Sequence, residues 1–136
     1  MCIRDSLYGM HLYSRLPLHD AEIRYLIEDD VPSVRAAVEL PSGDRFTFYG
    51  LHPRPPAPQE NETSIERDAE LIVVAKEVEQ LNGAVIVAGD LNDVAWSHTS
   101  RLFQRISGLL DPRMGRGFFN TFPAQYMLLR LSLIHI

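Results

Sequence analysis

The sequence predicts a domain of mixed α and β structure that packs in layers. In the first half of the chain, short runs alternate apolar and polar residues, which indicates strands. In the second half, apolar residues at helical spacing precede a wholly apolar run of β-branched residues, which indicates a helix and then a buried strand. Strands followed by helix, strand and helix favour layers around one core.

The composition fits one soluble domain, or part of one. The 136 residues are 46% hydrophobic and 23% charged, which is too apolar for a disordered tail. Lys and Arg number 13 against 18 Asp and Glu, and the net charge of −5 gives no reason to expect a surface that coats nucleic acid. The longest apolar runs fall far short of the roughly 20 residues needed to span a bilayer.

The two ends of the chain predict a non-biological origin for residues 1–6 and 131–136. One codon choice for residues 131–136 has a reverse complement that encodes residues 1–5. The shared element resembles the transposase adapter used to prepare sequencing libraries, and such a segment carries no information about the fold. We therefore expect residues 7–130 to be an internal piece of a longer domain. Cys2, the one cysteine, lies in the adapter and cannot form an internal disulfide.

The first half of the chain predicts four strands. Residues 7–14 and 21–27 are two candidates, and residues 34–40 and 45–51 are predicted to form a hairpin around the turn at 41–44. The prolines that follow His52 then impose an extended loop, because proline cannot donate to a sheet ladder.

The second half predicts helix, strand and helix. Thr63 and Glu66 fit a capping box at the start of a helix. Gly83 fits the C-terminal cap of the same helix. Residues 84–88 are predicted to be a central strand buried on both faces. Residues 100–106 are predicted to be a short helix, and residues 107–120 a glycine-containing loop.

The most informative motif is Gly-Asp-Leu-Asn at residues 89–92, at the exit of the predicted buried strand. Residues two apart at a strand end point the same way, so the Asp90 carboxylate and the Asn92 carboxamide would form one polar site. Ligand sites in layered α/β proteins gather at strand ends. The alternative is a turn in which Asp and Asn bond their own backbone, and the spacing leaves both open.

His52 also follows a predicted strand, and the proline loop beside it would fix an imidazole for acid–base work or phosphate contact. An exposed loop histidine is the alternative.

Arg113, near Asp111 in the glycine-containing loop, could bind a substrate phosphate or form a salt bridge. Trp96 is predicted to fill the core more readily than to wall a pocket. The other histidines at 11, 19 and 98 are expected at the surface or in packing.

Taken in order, these segments resemble the endonuclease/exonuclease/phosphatase superfamily, which has the deoxyribonuclease I fold. Residues 9–18 resemble its Gly-hydrophobic-Ser-Arg-Leu-Pro-Leu segment, and residues 50–52 the strand that carries its catalytic histidine. Residues 89–92 match its G-D-[FL]-N motif, and residues 120–122 resemble its later Thr-aromatic segment. The resemblance is closest to uncharacterised bacterial members, which often carry hydrophobic N-terminal helices and so suggest membrane attachment.

The resemblance implies an α+β fold that is part of a four-layer α/β/β/α sandwich. It implies hydrolysis of a phosphodiester or phosphomonoester with Mg²⁺ or Mn²⁺. Asp90 would orient or activate the attacking water, Asn92 would hold a phosphate oxygen or a water on the metal, and both would belong to the metal site. His52 would contact the phosphate. The substrate stays open between nucleic acid, lipid headgroup and small molecule, and no obligate protein partner is indicated.

Two parts of the family pattern have no match in residues 7–130. The metal-binding Glu with its preceding Asn would lie before residue 7, and the closing Asp-His pair would lie beyond residue 130. We therefore expect the parent protein to be an enzyme, and this partial domain, incomplete at both ends, to be inactive and marginally stable.

Two other interpretations remain open. Residues 89–93 also fit the G-D-x-x-D motif of calcineurin-like metallophosphoesterases, although residues 7–130 contain neither the Asp-x-His nor the Gly-Asn-His of that family. A non-catalytic relative that uses the same sandwich to bind a lipid headgroup or a protein is the second.

Overall fold

The computed structural model of the chain describes residues 9–55, 63–94 and 96–112. In chain order their elements are β1 (Leu18–Tyr25), β2 (Pro32–Glu39), β3 (Arg45–Leu51), α1 (Ile65–Gln80), β4 (Ala84–Gly89) and α2 (His98–Ser107). The four strands form one sheet in the order β1-β2-β3-β4. The predicted mixed α and β class is confirmed.

The predicted hairpin is present as β2 and β3, which pair antiparallel. Its turn is closed by two backbone bonds, from the Leu40 amide to the Asp44 carbonyl (2.8 Å) and from the Gly43 amide to the Leu40 carbonyl (2.9 Å). Gly43 has φ +86°, a conformation that costs glycine little. The turn fixes the register, so Val38 pairs with Phe46 on one face of the hairpin.

The two earlier strand predictions are only partly right. The segment predicted at residues 21–27 is β1, but it begins at Leu18 and contains a bulge between His19 and Glu22. The strand predicted at residues 7–14 is wrong over residues 9–14, where His11 makes only an isolated bridge. The apolar residues there pack against the sheet, since Met10 contacts Gly50, instead of extending it. Residues 7 and 8 lie outside the described residues.

The ends of α1 differ from the prediction. Ser64 is the N-cap, with no side-chain cap bond, and the Thr63 hydroxyl donates to the Glu66 carboxylate at 3.3 Å. The N-cap is thus one residue later than the predicted Thr63, and the two predicted capping-box residues contact each other through their side chains. The helix ends at Gln80, so Gly83 lies beyond the cap and does not terminate it.

The second helix is present as predicted and is longer by a few residues. Ser97 is its N-cap and accepts a hydrogen bond from the Ser100 amide at 2.9 Å. Gly108 ends the helix in the left-handed conformation, φ +68°. In the described residues, neither helix has the length and apolar content needed to cross a bilayer.

The prediction that the strand after α1 is buried on both faces is wrong. β4 pairs parallel with β3 and forms an edge of the sheet that the described residues make. Val87 is 1% exposed on the face that meets the helices, whereas Ile86 on the opposite face is 47% exposed. The strand is apolar throughout, but the described part of the chain covers only one of its faces.

The core lies between the sheet and both helices. Side chains from β3, α1, β4, the loop after it and α2 meet there, and all are nearly inaccessible to solvent: Tyr49, Leu51, Leu71, Val74, Ala75, Val78, Val87, Leu91 and Phe103. This packing fixes the ends of β3 and β4 against α1.

Candidate active site at the ends of two parallel strands

The pairing of β3 with β4 brings two predicted catalytic residues together. The two strands run parallel, and Leu51 stands opposite Gly89 at their last paired position. His52 and Asp90 are the next residues, so both leave the sheet at the same edge, where ligand sites of layered α/β proteins form. Both residues line one pocket of about 390 Å³.

Gly89 makes this close approach of the two strands possible. It has φ +145°, and a Cβ atom there would lie 1.9 Å from the carbonyl oxygen of Leu51. Any other residue would have to displace the β3 backbone next to His52. The glycine of the motif thus has a steric role.

The remaining wall of the pocket comes from residues 9–12, which sequence reasoning did not place in the site. A Cβ atom on Gly50 would lie 2.9 Å from the sulfur of Met10, so the missing side chain makes room for that segment. A glycine inside a strand often marks such an approach, and this signal was available in the sequence. His11, expected at the surface, is exposed and also lines the pocket. The lining residues are Gly9, Met10, His11, Leu12, Phe48, Gly50, Leu51, His52, Ala88, Gly89 and Asp90.

The residues after Gly89 form a turn that separates Asp90 from Asn92. The Asp90 carboxylate accepts a hydrogen bond from the backbone amide of Asn92 at 3.0 Å. The backbone of Asn92 has the left-handed conformation, with φ +48°. The turn of the alternative interpretation is therefore present, and Asp90 lines the pocket whereas Asn92 does not. The Asn92 side chain donates to the carbonyl of Pro53 at 2.8 Å, which ties the exit of β4 to the exit of β3.

Asp93 has a structural role. It is 4% exposed, accepts from the Val94 amide and the Ser100 hydroxyl at 2.8 Å each, and also accepts from the Ser97 hydroxyl. The two hydroxyls belong to the N-cap and the first turn of α2, and Val94 precedes the cap. The second aspartate of the G-D-x-x-D interpretation is thus engaged by the helix, which gives that alternative no support.

Arg67 is a buried contact of the site that sequence reasoning missed. Its guanidinium donates to the backbone carbonyl of Asn92 at 2.8 Å, and the residue is only 9% exposed. A signal existed, because Arg67 precedes Leu71, Val74 and Val78 on the apolar face of α1. A charged residue in that row needs a buried partner.

The other sequence candidates lie elsewhere. Trp96, expected in the core, is 51% exposed, because the turn before α2 holds it at the surface. His19 pairs with Glu39 at 3.0 Å, where β1 begins, and His98 is exposed at the start of α2. Arg113 and the segment at residues 120–122 lie outside the described residues.

A carboxyl with a strongly altered pKa lies outside the pocket. Burial, aided by the nearby Glu28, raises the pKa of Glu70 to about 7. Glu70 is on α1 and is 4% exposed. Perturbed carboxyls often mark catalytic sites, but this one does not line the pocket that contains His52 and Asp90.

The described residues supply only part of a metal site. Asp90 offers the carboxylate oxygen that Mg²⁺ prefers. In residues 9–55, 63–94 and 96–112, however, no three side chains of His, Cys, Asp or Glu gather closely enough to hold a metal ion. This set of donors does not by itself fit a bound divalent cation.

Three solved structures share this fold with the chain. Sphingomyelinase C from Streptomyces griseocarneus matches with TM-score 0.56 and 15% identity over 71% of this chain and 37% of its own. The human nocturnin catalytic domain with bound sulfate matches with TM-score 0.53 and 18% identity over 68% and 36%. Beta toxin from Staphylococcus aureus matches with TM-score 0.54 and 15% identity over 72% and 39%.

These likenesses establish the fold, and the chain spans well under half the length of each of the three structures. A comparison with curated proteins found no match. The model of the Endonuclease/Exonuclease/phosphatase family matches residues 3–134, nearly the whole sequence, and confirms the resemblance seen in the motifs. The chain therefore belongs to the endonuclease/exonuclease/phosphatase family.

Proposed function

We propose that the protein to which this chain belongs is a metal-dependent phosphoric ester hydrolase, acting on a phosphodiester or phosphomonoester. The observation that carries the proposal is the position of His52 and Asp90, one residue beyond the paired Leu51 and Gly89, in one pocket. The three activities in the family's description all break phosphate ester bonds, and this pocket offers an acid–base pair suited to such a reaction.

Each side chain has a proposed task. Asp90 orients the attacking water and accepts its proton, since a carboxylate has acceptor capacity beyond its bond to the Asn92 amide. His52 contacts the phosphate and stabilises charge that develops on its oxygens. Asn92 can keep its bond to Pro53 and donate its second amide hydrogen to a phosphate oxygen.

A divalent cation, Mg²⁺ or Mn²⁺, would neutralise charge on the phosphate oxygens. Asp90 and Asn92 are proposed as part of its ligand set, and the other ligands would come from outside the described residues. Mg²⁺ usually keeps several waters, so few protein groups are required.

The substrate class is proposed only as a phosphate ester of nucleic acid, lipid headgroup or small molecule. The neighbours in structure include a sphingomyelinase and a domain that binds a sulfate anion, and a sulfate has the shape and charge of a phosphate. The net charge of −5 argues weakly against a protein that tracks duplex backbone, which would benefit from Lys and Arg.

The test starts from the complete coding sequence, read from source DNA by long-read sequencing without a transposase step. The encoded protein is assayed on bis(4-nitrophenyl) phosphate and 4-nitrophenyl phosphate with Mg²⁺ or Mn²⁺. We expect His52→Ala and Asp90→Asn each to lower kcat by about a hundredfold or more. Matched controls are His19→Ala and Asp44→Asn, which change the same residue types far from the pocket.

Three results bear on the proposal. Hydrolysis that needs the metal and is lost in both pocket variants supports it. Hydrolysis that survives both variants overturns it, and a full-length protein that hydrolyses neither ester favours a non-catalytic binding relative. The 136-residue chain alone is expected to be inactive, because the metal-binding Glu and the closing Asp-His pair of the family pattern have no match in residues 7–130. Turnover by this chain at the rate of the complete protein would contradict that expectation.

A further inference from the structure

The turn that presents Asp90 is held from outside by one arginine. Within the turn, the Asn92 amide bonds the Asp90 carboxylate, and the Asn92 side chain bonds the Pro53 carbonyl. The carbonyl of Asn92 accepts from Nη1 of Arg67 at 2.8 Å. Asn92 is thus fixed through its amide, its side chain and its carbonyl, and the last contact comes from α1.

Arg67 is itself held in one orientation. Its Nε and Nη2 atoms donate to one oxygen of Asp68, at 3.0 and 2.7 Å, and Nη2 lies 3.6 Å from the buried carboxylate of Asp93. The side chain is 10% exposed. A planar guanidinium with several donors can satisfy a carboxylate and a carbonyl at once, which an ammonium group cannot do in the same geometry.

The backbone of the turn needs such support. Asn92 is left-handed at φ +48°, a conformation that most residues with a Cβ atom avoid and that asparagine tolerates. A small rotation there would move the amide that Asp90 accepts from, and with it the carboxylate. Because Asp90 follows the last residue of β4, the sheet alone does not fix its direction.

We infer that Arg67 is a positioning residue for the site, which locks the turn at residues 90–92 so that the Asp90 carboxylate stays in the pocket. It does not touch the pocket and has no catalytic task of its own. The inference rests on the proposed function in taking Asp90 as the reacting carboxylate. The competing explanation is that Arg67 only stabilises the packing of α1 and α2, through Asp93.

The first test uses the 136-residue chain and needs no activity. Arg67→Lys keeps the charge and removes the fork of donors, and NMR hydrogen exchange then compares the amides of residues 90–92 with those of the β2–β3 hairpin. We expect exchange in the turn to accelerate about tenfold or more, as loss of a charge-assisted bond implies, while the hairpin is unchanged. Arg101→Lys is the matched control, because Arg101 also donates to a carbonyl, that of Trp96 at 2.7 Å, on the exposed side of α2.

The second test separates positioning from packing in the complete enzyme. Arg67→Lys should lower kcat with KM within about twofold, since the pocket surface is intact and only the carboxylate is misplaced. Equal acceleration of exchange throughout the chain, or an unchanged turn, overturns the inference. Failure of the proposed function is visible separately, as hydrolysis that persists in His52→Ala and Asp90→Asn, and the exchange result does not depend on it.

Discussion

At the scale of single residues, the site depends on its glycines, which have no side chain, as much as on its polar residues. Gly50 makes room for Met10, and Gly89 lets the backbone of β4 approach Leu51. The sequence motif indicated Asp90 and His52 correctly as strand-end residues, because apolar periodicity ends just before each. The place of Arg67 in the apolar row of α1 indicates a buried charge, but it does not reveal which group that charge contacts.

Replacing Gly89 with alanine should destabilise the chain more than the same change at Gly83. Both glycines have positive φ, +145° and +128°, so both variants carry backbone strain of about 1 to 3 kcal/mol. Only at position 89 does the new methyl also meet backbone, 1.9 Å from the Leu51 carbonyl, whereas nothing lies within 4 Å at Gly83. Urea unfolding of both variants measures the difference, and equal losses would show that the contact with β3 is not rigid.

At the scale of elements, strand and helix types follow from periodicity, and their ends depend on contacts that pattern does not encode. The β2–β3 hairpin was predictable because its turn and its alternation agree. The start of α1 was not, because Thr63 and Ser64 are both residue types that cap helices, and the structure uses Ser64. The exposed face of β4 was also beyond the pattern, since an apolar strand reads the same whether one face or both are covered.

The caps of the two helices should differ in their contribution to stability. Ser97 accepts from the Ser100 amide at 2.9 Å, so Ser97→Ala should lower the free energy of unfolding by about 0.5 to 2 kcal/mol. Ser64 makes no such bond, and its hydroxyl donates to Asp68 at 3.0 Å, so Ser64→Ala is the matched control and should cost less. Chemical denaturation of the two variants tests this order. The reverse order would mean that the contact between Ser64 and Asp68 is the stronger anchor.

At the scale of the whole molecule, folding buries one carboxyl of α1 in an unfavourable setting. Glu70 is 4% exposed, and its Oε1 atom has no hydrogen-bond partner in the described residues. Glu28 raises its pKa further, although Glu28 lies 3.3 Å from the guanidinium of Arg54. Folding therefore favours the protonated form of Glu70, whereas the unfolded chain titrates it at the ordinary value of 4.5.

This difference predicts a loss of stability as pH rises. Between 4.5 and about 7 the unfolded chain holds fewer protons at Glu70 than the folded chain, so the free energy of unfolding falls with pH across that window and levels off above it. The total fall is on the order of 3 kcal/mol.

Glu70→Gln keeps the shape of the side chain and removes its titration, so the unfolding free energy of this variant should lack the fall. The difference between the two urea-unfolding curves against pH isolates Glu70 from the histidines and from Glu39 and Glu77, whose pKa values are lowered by Arg45 and Arg24. A constant difference through the window would mean that water or another group solvates Glu70, and that the packing around this part of α1 is looser than its burial indicates.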